Sequence, residues 1–264
     1  MKQKPPPASR PLGFTLMEIL VVIAIILVLA AIAFPVFSQI QMRANRTVAL
    51  RNMNQLGAAA ATYTAENNGT LPAEDAKGAD TWGAAANPEN ANAWYNVLPR
   101  RLGHKGVDQY ASNPQAFYSK ENILYVPGAQ YPETDKKLAR PIFAIAINTK
   151  LQRRDKDEHG EKGEKPPAKL SQITNPARTV LFLEQGLPKE PPAMKQQPKY
   201  DGSPKGSAKS FVARYGGVGI IVFCDGHAET LEGKDILEEN GQFKFPLQPG
   251  DIIWCKTPEE NPNK

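Results

Sequence analysis

Apolar residues follow three successive patterns along the chain, and each pattern predicts a different kind of element. A run of 19 residues without charge extends from Ile19 to Phe37. Apolar residues then recur at helical intervals, at Met42, Ala49, Met53, Leu56, Ala60 and Tyr63, with the polar Arg43, Arg46, Arg51 and Asn54 on other faces. From residue 67 onwards, short β-branched and aromatic segments lie between Gly, Pro and Asn. These periods predict a long amino-terminal helix followed by a β-rich region.

The first part of the predicted helix, residues 14–37, is long enough to cross a membrane, because 19 helical residues span about 30 Å. Residues 38–66 are its amphipathic continuation, with an apolar stripe that we expect to pack on a sheet. Asn67-Asn68-Gly69 is a stop signal for this helix. The fold class predicted is therefore α+β, with the long helix packed on an antiparallel sheet.

Six segments of the globular region, residues 67–264, have the composition of strands. They are Ile123–Val126, Pro141–Asn148, Thr179–Glu184, Val218–Cys224, His227–Leu231 and Asp251–Cys255. Two stretches rich in Lys, Glu, Pro and Gly interrupt them, residues 152–169 and 185–210. Such stretches bury little apolar surface, so we expect two flexible, solvated loops.

Composition and charge narrow the class of protein. With 41% hydrophobic residues the chain can build a core, and a single long apolar run excludes a multi-span membrane protein. Lys2, Lys4 and Arg10 precede the run, which predicts a cytoplasmic amino terminus and an extracytoplasmic carboxyl-terminal domain. The other basic residues lie in segments that also contain acidic residues, so the sequence has no basic cluster of the kind that binds nucleic acid. It also lacks the common hydrolase, zinc-protease and nucleotide-binding motifs, which argues against an enzyme.

The block from Gly219 to Leu231 predicts a β-hairpin whose turn is Asp225-Gly226, a dipeptide that suits a two-residue type I′ turn. His227 and Glu229 are two residues apart on one strand and therefore share a face. Together with Asp225 they are candidates for part of a metal site. A solvent-facing hairpin with a turn aspartate is the other interpretation of these residues.

Cys224 and Cys255 are the two cysteines of the chain, and each ends a predicted strand. Two cysteines exclude a disulfide-dense scaffold and a four-cysteine zinc site. An oxidising compartment permits a disulfide between them if their Cα atoms lie within about 7 Å. Two buried free thiols are the alternative.

Three interpretations compete for the amino-terminal segment. A secretory signal peptide would be released after Ala33 at the A-x-A of Ala31 and Ala33, but its apolar run is usually shorter. A plain membrane anchor explains the length of the run and leaves Glu18 unexplained, since an ionisable residue in a span is costly. The third interpretation rests on the residues Gly13-Phe14-Thr15-Leu16-Met17-Glu18.

These six residues closely resemble the amino-terminal signal of the type IV prepilin-like and type II secretion pseudopilin family. The resemblance implies that a prepilin peptidase cuts after Gly13 and that Phe14 becomes N-methylated. It also implies that Glu18 neutralises the terminal amine of a neighbouring subunit, and that Pro35 is the proline typical of the family's apolar helix. That proline removes one helical hydrogen bond and permits a kink.

Two further segments resemble a large subgroup of that family. Arg51-Asn52-Met53-Asn54-Gln55-Leu56-Gly57 is similar to its early helix, and Asp225-Gly226 is similar to the end of its H-x9-DG signature. The histidine position of the signature holds Tyr215 here. Some related pseudopilins bind calcium in this region. However, calcium needs six to eight oxygen ligands, and His227 is a poor one. We therefore expect no cofactor, and calcium is the one candidate metal.

The resemblance implies a structural subunit of a type IV pilus-like or type II secretion pseudopilus filament. It would be stored in the inner membrane as a single-pass protein. Its expected partners are the prepilin peptidase, other pilin or pseudopilin subunits, the inner-membrane assembly machinery and membrane lipid. A membrane-tethered binding module that does not polymerise is the alternative function.

Overall fold

The computed structural model describes residues 15–74, 78–131, 133, 139–152, 167–188, 190, 202–236, 238 and 242–263. The chain divides into two units, Met1–Arg43 and Ala44–Lys264. Helix α1, Leu16–Glu66, is continuous through the boundary between them. Its end is the predicted stop signal: Asn68 and Gly69 both have positive φ, and the Gly69 N–H donates to the Thr64 carbonyl.

The second unit contains a five-stranded sheet and several short helices. The strands are β1 Ile145–Asn148, β2 Val180–Glu184, β3 Lys205–Gly206, β4 Val218–Phe223 and β5 Ala228–Glu232. Within the described residues, the short α-helices include α2 Trp82–Ala85, α3 Trp94–Arg101 and α4 Gly233–Ile236. The strand order is β3-β1-β2-β4-β5, and every pair is antiparallel except the parallel pair β1–β3. This arrangement confirms the predicted α+β fold.

Both faces of the sheet are covered, which explains why β4 and residues 180–183 of β2 are continuously apolar. Met53, Leu56 and Ala60 of α1 share a buried cluster with Ile220 and Val222 of β4. The alternate residues of β4 enter a second cluster with side chains of the carboxyl-terminal segment, Phe243, Ile252 and Trp254. The amphipathic stripe of α1 thus packs on one face of the sheet, as its period predicts.

Three predicted strands are wrong or reduced. The predicted strand 141–148 is a strand only over Ile145–Asn148. The described residues 123–126 form turns and a short extended segment. Their side chains are largely buried, and the Asn122 side chain organises the turn by bonding to the Phe117 carbonyl and the Leu124 N–H. Of residues 251–255, only Ile253 pairs, in an isolated parallel bridge with Thr179. In these last two segments, β-branched residues serve burial without forming a ladder.

The two predicted loops are ordered in part. Gln152, Gln185 and Leu187 are buried, and residues 205–206 form β3. Tertiary contacts hold β3 in place: Trp94 Nε1 donates to the Pro204 carbonyl, and Thr149 Oγ1 donates to the Gly206 carbonyl. The prediction of a solvated loop is therefore wrong for these positions. Residues 153–166, 189 and 191–201 of the two loops lie outside the described residues.

Candidate functional site

The amino-terminal end of α1 is built by a reciprocal cap between Thr15 and Glu18. Glu18 Oε2 accepts from the Thr15 backbone N–H at 2.7 Å and from Thr15 Oγ1 at 2.8 Å, and the Glu18 N–H donates back to Thr15 Oγ1. This is a capping box, and a carboxylate there complements the positive end of the helix dipole. The cap holds the Glu18 carboxylate beside the residue that would become second in the chain after a cut behind Gly13. Gly13 and Phe14 themselves lie outside the described residues.

The surface of α1 that follows Glu18 is apolar all round and exposed. Its 18-residue window has a mean hydropathy of 3.3 and no buried residue, and α1 is the one helix among the described residues that could cross a membrane. The exposed large side chains include Ile19, Leu20, Ile26, Leu27, Ile32, Phe34 and Phe37. The helix continues through Pro35. Such a surface needs lipid or other apolar helices around it.

The β4–β5 hairpin has a different turn from the predicted one. Its loop contains three residues, Cys224-Asp225-Gly226, closed by a bond from the Gly226 N–H to the Phe223 carbonyl. Within the loop only Gly226 has positive φ, at 96°. The predicted type I′ turn is wrong, because that turn requires positive φ at both central residues. A three-residue loop with glycine in the left-handed position is the next most common hairpin turn.

The hairpin turn lies directly on α1 at Gly57. A Cβ added to Gly57 would overlap the Gly226 carbonyl oxygen, and one added to Gly226 would lie 2.9 Å from the Gly57 carbonyl oxygen. Beside this contact, the Ala228 N–H donates to Asn54 Oδ1 at 3.2 Å. The two segments that resemble the pilin-like subgroup, residues 51–57 and the Asp-Gly turn, are therefore brought together. Their glycines permit a close approach of backbone to backbone.

His227 is held between two carboxylates at the start of β5. Its Nδ1 lies 2.6 Å from Asp225 Oδ1 and its Nε2 lies 3.2 Å from Glu229 Oε1. The imidazole also stacks on Phe223, and Arg178 Nη1 lies 3.5 Å from Glu229 Oε2. The carboxylates thus face His227 and Arg178. Among the described residues, no group of three or more His, Cys, Asp or Glu could hold a metal ion.

Tyr215, at the signature's histidine position, is buried in the globular unit. Its hydroxyl lies 2.9 Å from Glu184 Oε1 and 3.0 Å from the Pro127 carbonyl oxygen. Sequence reasoning missed Glu184 and its neighbours Glu190 and Arg214, which are all buried. The sequence feature that could have indicated a buried carboxylate is Glu184 itself, since it is the last residue of the otherwise apolar strand β2. Their partners are distant in sequence and could not be inferred from it.

Cys224 and Cys255 are both buried free thiols in the structure, which is the second of the two alternatives that the sequence leaves open. The Cys224 N–H donates to the Thr179 carbonyl, whereas Ile253 pairs on the opposite edge of the same strand. Two strand spacings therefore separate the cysteine segments, roughly 10 Å and beyond the reach of a disulfide. Burial raises the pKa of the Cys255 thiol to about 11 and that of Cys224 further.

Comparison with known families gives one match. Residues 9–34 match the prokaryotic N-terminal methylation motif, the prepilin-type signature, and the long helix α1 begins within the match at Leu16. No curated protein and no solved structure matches the chain. The match covers the segment with Gly13, Phe14 and Glu18 and ends before the globular unit begins.

Proposed function

We propose that this protein is a structural subunit of a type IV pilus-like or type II secretion pseudopilus filament. A prepilin peptidase cuts it after Gly13, and the new terminal residue, Phe14, is methylated. The mature subunit is stored in the inner membrane through α1, with residues 67–264 on the extracytoplasmic side. This role is structural and requires no catalytic site.

The observation that carries the proposal is the methylation motif at residues 9–34, together with a membrane-length apolar helix whose first half, residues 16–43, contains a single carboxylate, Glu18. A tether that only holds a domain at the membrane needs apolar length, and its capping box could equally use an uncharged Gln in place of Glu18. Between Phe14 and Thr64, Glu18 is the only acidic residue. Keeping it in an apolar span is costly, which supports a role in which the carboxylate finds a partner.

In a filament, apolar helices of neighbouring subunits replace lipid around one another. A subunit that enters such a bundle brings a positive terminal amine, and an unpaired charge there costs several kcal/mol. Glu18 is the carboxylate that can neutralise it. The capping box with Thr15 keeps this carboxylate at the terminal turn, where a neighbouring amine would arrive. Besides the other subunits, the partners proposed are the peptidase, the inner-membrane assembly machinery and membrane lipid.

Processing provides the test of this proposal. Mass spectrometry of the membrane fraction should show a mature chain that begins at N-methyl-Phe14. Gly13→Val should abolish the cut, because the peptidase must fit the residue before the cut into a tight site. Ala8→Val makes a similar small-to-branched change outside the matched motif and should leave cleavage complete.

A mature chain that begins at Phe34 would instead identify Ala31-x-Ala33 as a signal-peptidase site and exclude the filament subunit. Normal processing without filaments would favour the membrane-tethered binding module.

A further inference from the structure

A cluster of ionisable side chains is buried inside the globular unit, away from the hairpin turn and the amino-terminal cap. It contains Glu184 at the end of β2, Glu190, Arg214 and Tyr215. The side chains of Arg214, Glu184 and Glu190 are 3%, 0% and 0% exposed. Two carboxylates and one guanidinium would leave a net negative charge in the core. Buried charges are tolerated when they are paired and hydrogen-bonded.

Arg214 and Glu190 form a complete ion pair. Arg214 Nε donates to Glu190 Oε1 at 2.6 Å, and Arg214 Nη2 donates to Glu190 Oε2 at 3.0 Å. The backbone N–H groups of Leu187 and Gln130 donate to the same carboxylate. Four donors therefore surround Glu190, which stabilises its ionised form. The positive charge of Arg214 is matched by this carboxylate.

Glu184 has a different environment. Its Oε2 accepts from the Ile220 N–H at 3.2 Å, while Arg214 Nη1 lies 3.6 Å from Oε1 and has no hydrogen-bond partner among the described residues. The remaining contact of Oε1 is the hydroxyl of Tyr215 at 2.9 Å. Glu190 accepts from four donors, two of which belong to Arg214. Among the described residues, Glu184 accepts from one backbone N–H, that of Ile220, and from no atom of Arg214.

The acceptor to which the Tyr215 hydroxyl donates determines whether the Glu184 carboxyl must be protonated. A tyrosine hydroxyl carries one hydrogen, and here it lies within bonding distance of two acceptors, Glu184 Oε1 and the Pro127 carbonyl oxygen. The Pro127 carbonyl has no hydrogen to give. If Tyr215 donates to Pro127, the contact with Glu184 is a hydrogen bond only when the carboxyl carries the hydrogen. All three groups are then satisfied.

We propose that Glu184 is a neutral carboxylic acid in the folded protein, which donates to Tyr215, so that the domain takes up one proton as it folds. The proton binds to the Glu184 carboxylate, and the chain Glu184 to Tyr215 to Pro127 replaces the solvation that the carboxylate loses. Burial agrees with this assignment, because it raises the pKa of Glu184 to about 7 against the lowering effects of Arg214, the Tyr215 hydroxyl and the Ile220 N–H. The charge of Glu190 raises the pKa of Glu184 as well.

The pH dependence follows from the direction of that pKa change. The ordinary pKa of this carboxyl is 4.5, and the folded value lies above it. Between these two values the unfolded chain has released the proton and the folded chain still holds it. Stability from Glu184 is therefore full at low pH and is lost as the pH rises, by up to about tenfold in the folding constant per pH unit. Above about pH 7 the effect levels off.

The experiment compares urea unfolding of the full chain in one detergent across this pH range. In Glu184→Gln the amide can donate to Tyr215 and accept from Ile220 at every pH. Relative to this variant, the wild-type folding constant should fall by about tenfold to a few hundredfold between about pH 4.5 and pH 7.5. Glu232→Gln removes an exposed carboxylate of β5 and should keep the wild-type slope. Equal slopes for wild type and Glu184→Gln would overturn the proposal.

A second measurement covers the case in which Glu184→Gln does not fold. The infrared spectrum of the wild-type chain, labelled with ¹³C at glutamate carboxyls, should contain the band of a protonated carboxyl at about pH 6, above the ordinary pKa of glutamic acid. The band should vanish when urea unfolds the protein at the same pH. A folded protein without this band would show that Glu184 is ionised and that Tyr215 donates to it.

Discussion

The two halves of α1 are both apolar, yet their apolar surfaces have opposite environments. Residues 16–43 belong to the first unit and carry large exposed side chains all round, such as Leu27, which is 64% exposed. Residues 44–66 belong to the second unit, and there Met53, Leu56 and Ala60 are buried to 1% exposure or less. Hydrophobicity alone therefore does not tell what covers a helix.

The difference between the halves lies in side-chain shape and arrangement. The first half is rich in Ile, Leu, Val and Phe on every face, which suits a lipid or helix-bundle environment. The second half has one stripe and a run of small residues, Gly57-Ala58-Ala59-Ala60-Ala61. Small residues let the hairpin turn approach the helix backbone at Gly57. The first surface needs partners from outside the chain, and the second is satisfied by its own sheet.

Shortening one leucine in each half of α1 tests whether only the buried half contributes to the free energy of unfolding. Leu56→Ala removes a fully buried side chain from the cluster shared with β4, and we expect a loss of about 2–5 kcal/mol of unfolding free energy. Leu27→Ala should leave the same quantity unchanged. Unfolding can be followed by the fluorescence of Trp82, Trp94 and Trp254, which are all buried in the second unit. Equal losses for the two variants would contradict the division into an exposed and a buried half.

Gly57→Ala tests the contact between α1 and the hairpin turn, because an exposed and a covered glycine predict changes of opposite sign in the free energy of unfolding. In an exposed helix interior, Gly→Ala stabilises by about 1 kcal/mol. At Gly57 the new Cβ would overlap the Gly226 carbonyl oxygen and lie 2.8 Å from Val222 Cγ1. We therefore expect a loss of about 1–3 kcal/mol, measured by the same urea titration. A stabilised Gly57→Ala protein would show that the hairpin does not rest on the helix here.

The local elements of this fold could be predicted from the sequence, whereas its long-range contacts could not. Helix α1, its stop at Asn67-Asn68-Gly69 and the strands β2, β4 and β5 follow from periodicity and turn residues that are close in the chain. Strand β3 could not be predicted, because its two residues, Lys205 and Gly206, are too few to show a periodic pattern. Its position depends on Trp94, which is distant in sequence.

The same limit applies to the candidate sites. Glu18 stands out because a carboxylate in an apolar run needs only the run itself as evidence. Glu184, Glu190 and Arg214 lie in segments that read as a strand end and polar loops. Their burial results from packing between segments as distant as Gln130 and Arg214. The three-residue turn at Asp225 likewise depends on the contact of Gly226 with Gly57, which no local rule contains.

Counting filaments in cells that produce Glu18→Ala tests whether the exposed half of α1 serves assembly through Glu18. Removing the carboxylate should not impair membrane insertion, and can favour it by up to ~2–3 kcal/mol. Processing depends on Gly13, and the buried core of the second unit does not include Glu18. We therefore expect a mature, folded, membrane-embedded subunit that forms few or no filaments.

Glu66→Ala is the matched control for this measurement, since Glu66 is the next carboxylate of α1 and its side chain is 55% exposed. With subunit levels matched between strains, Glu66→Ala should give wild-type filament numbers and Glu18→Ala should not. Normal filament numbers for Glu18→Ala would contradict the pairing of Glu18 with a neighbouring terminal amine.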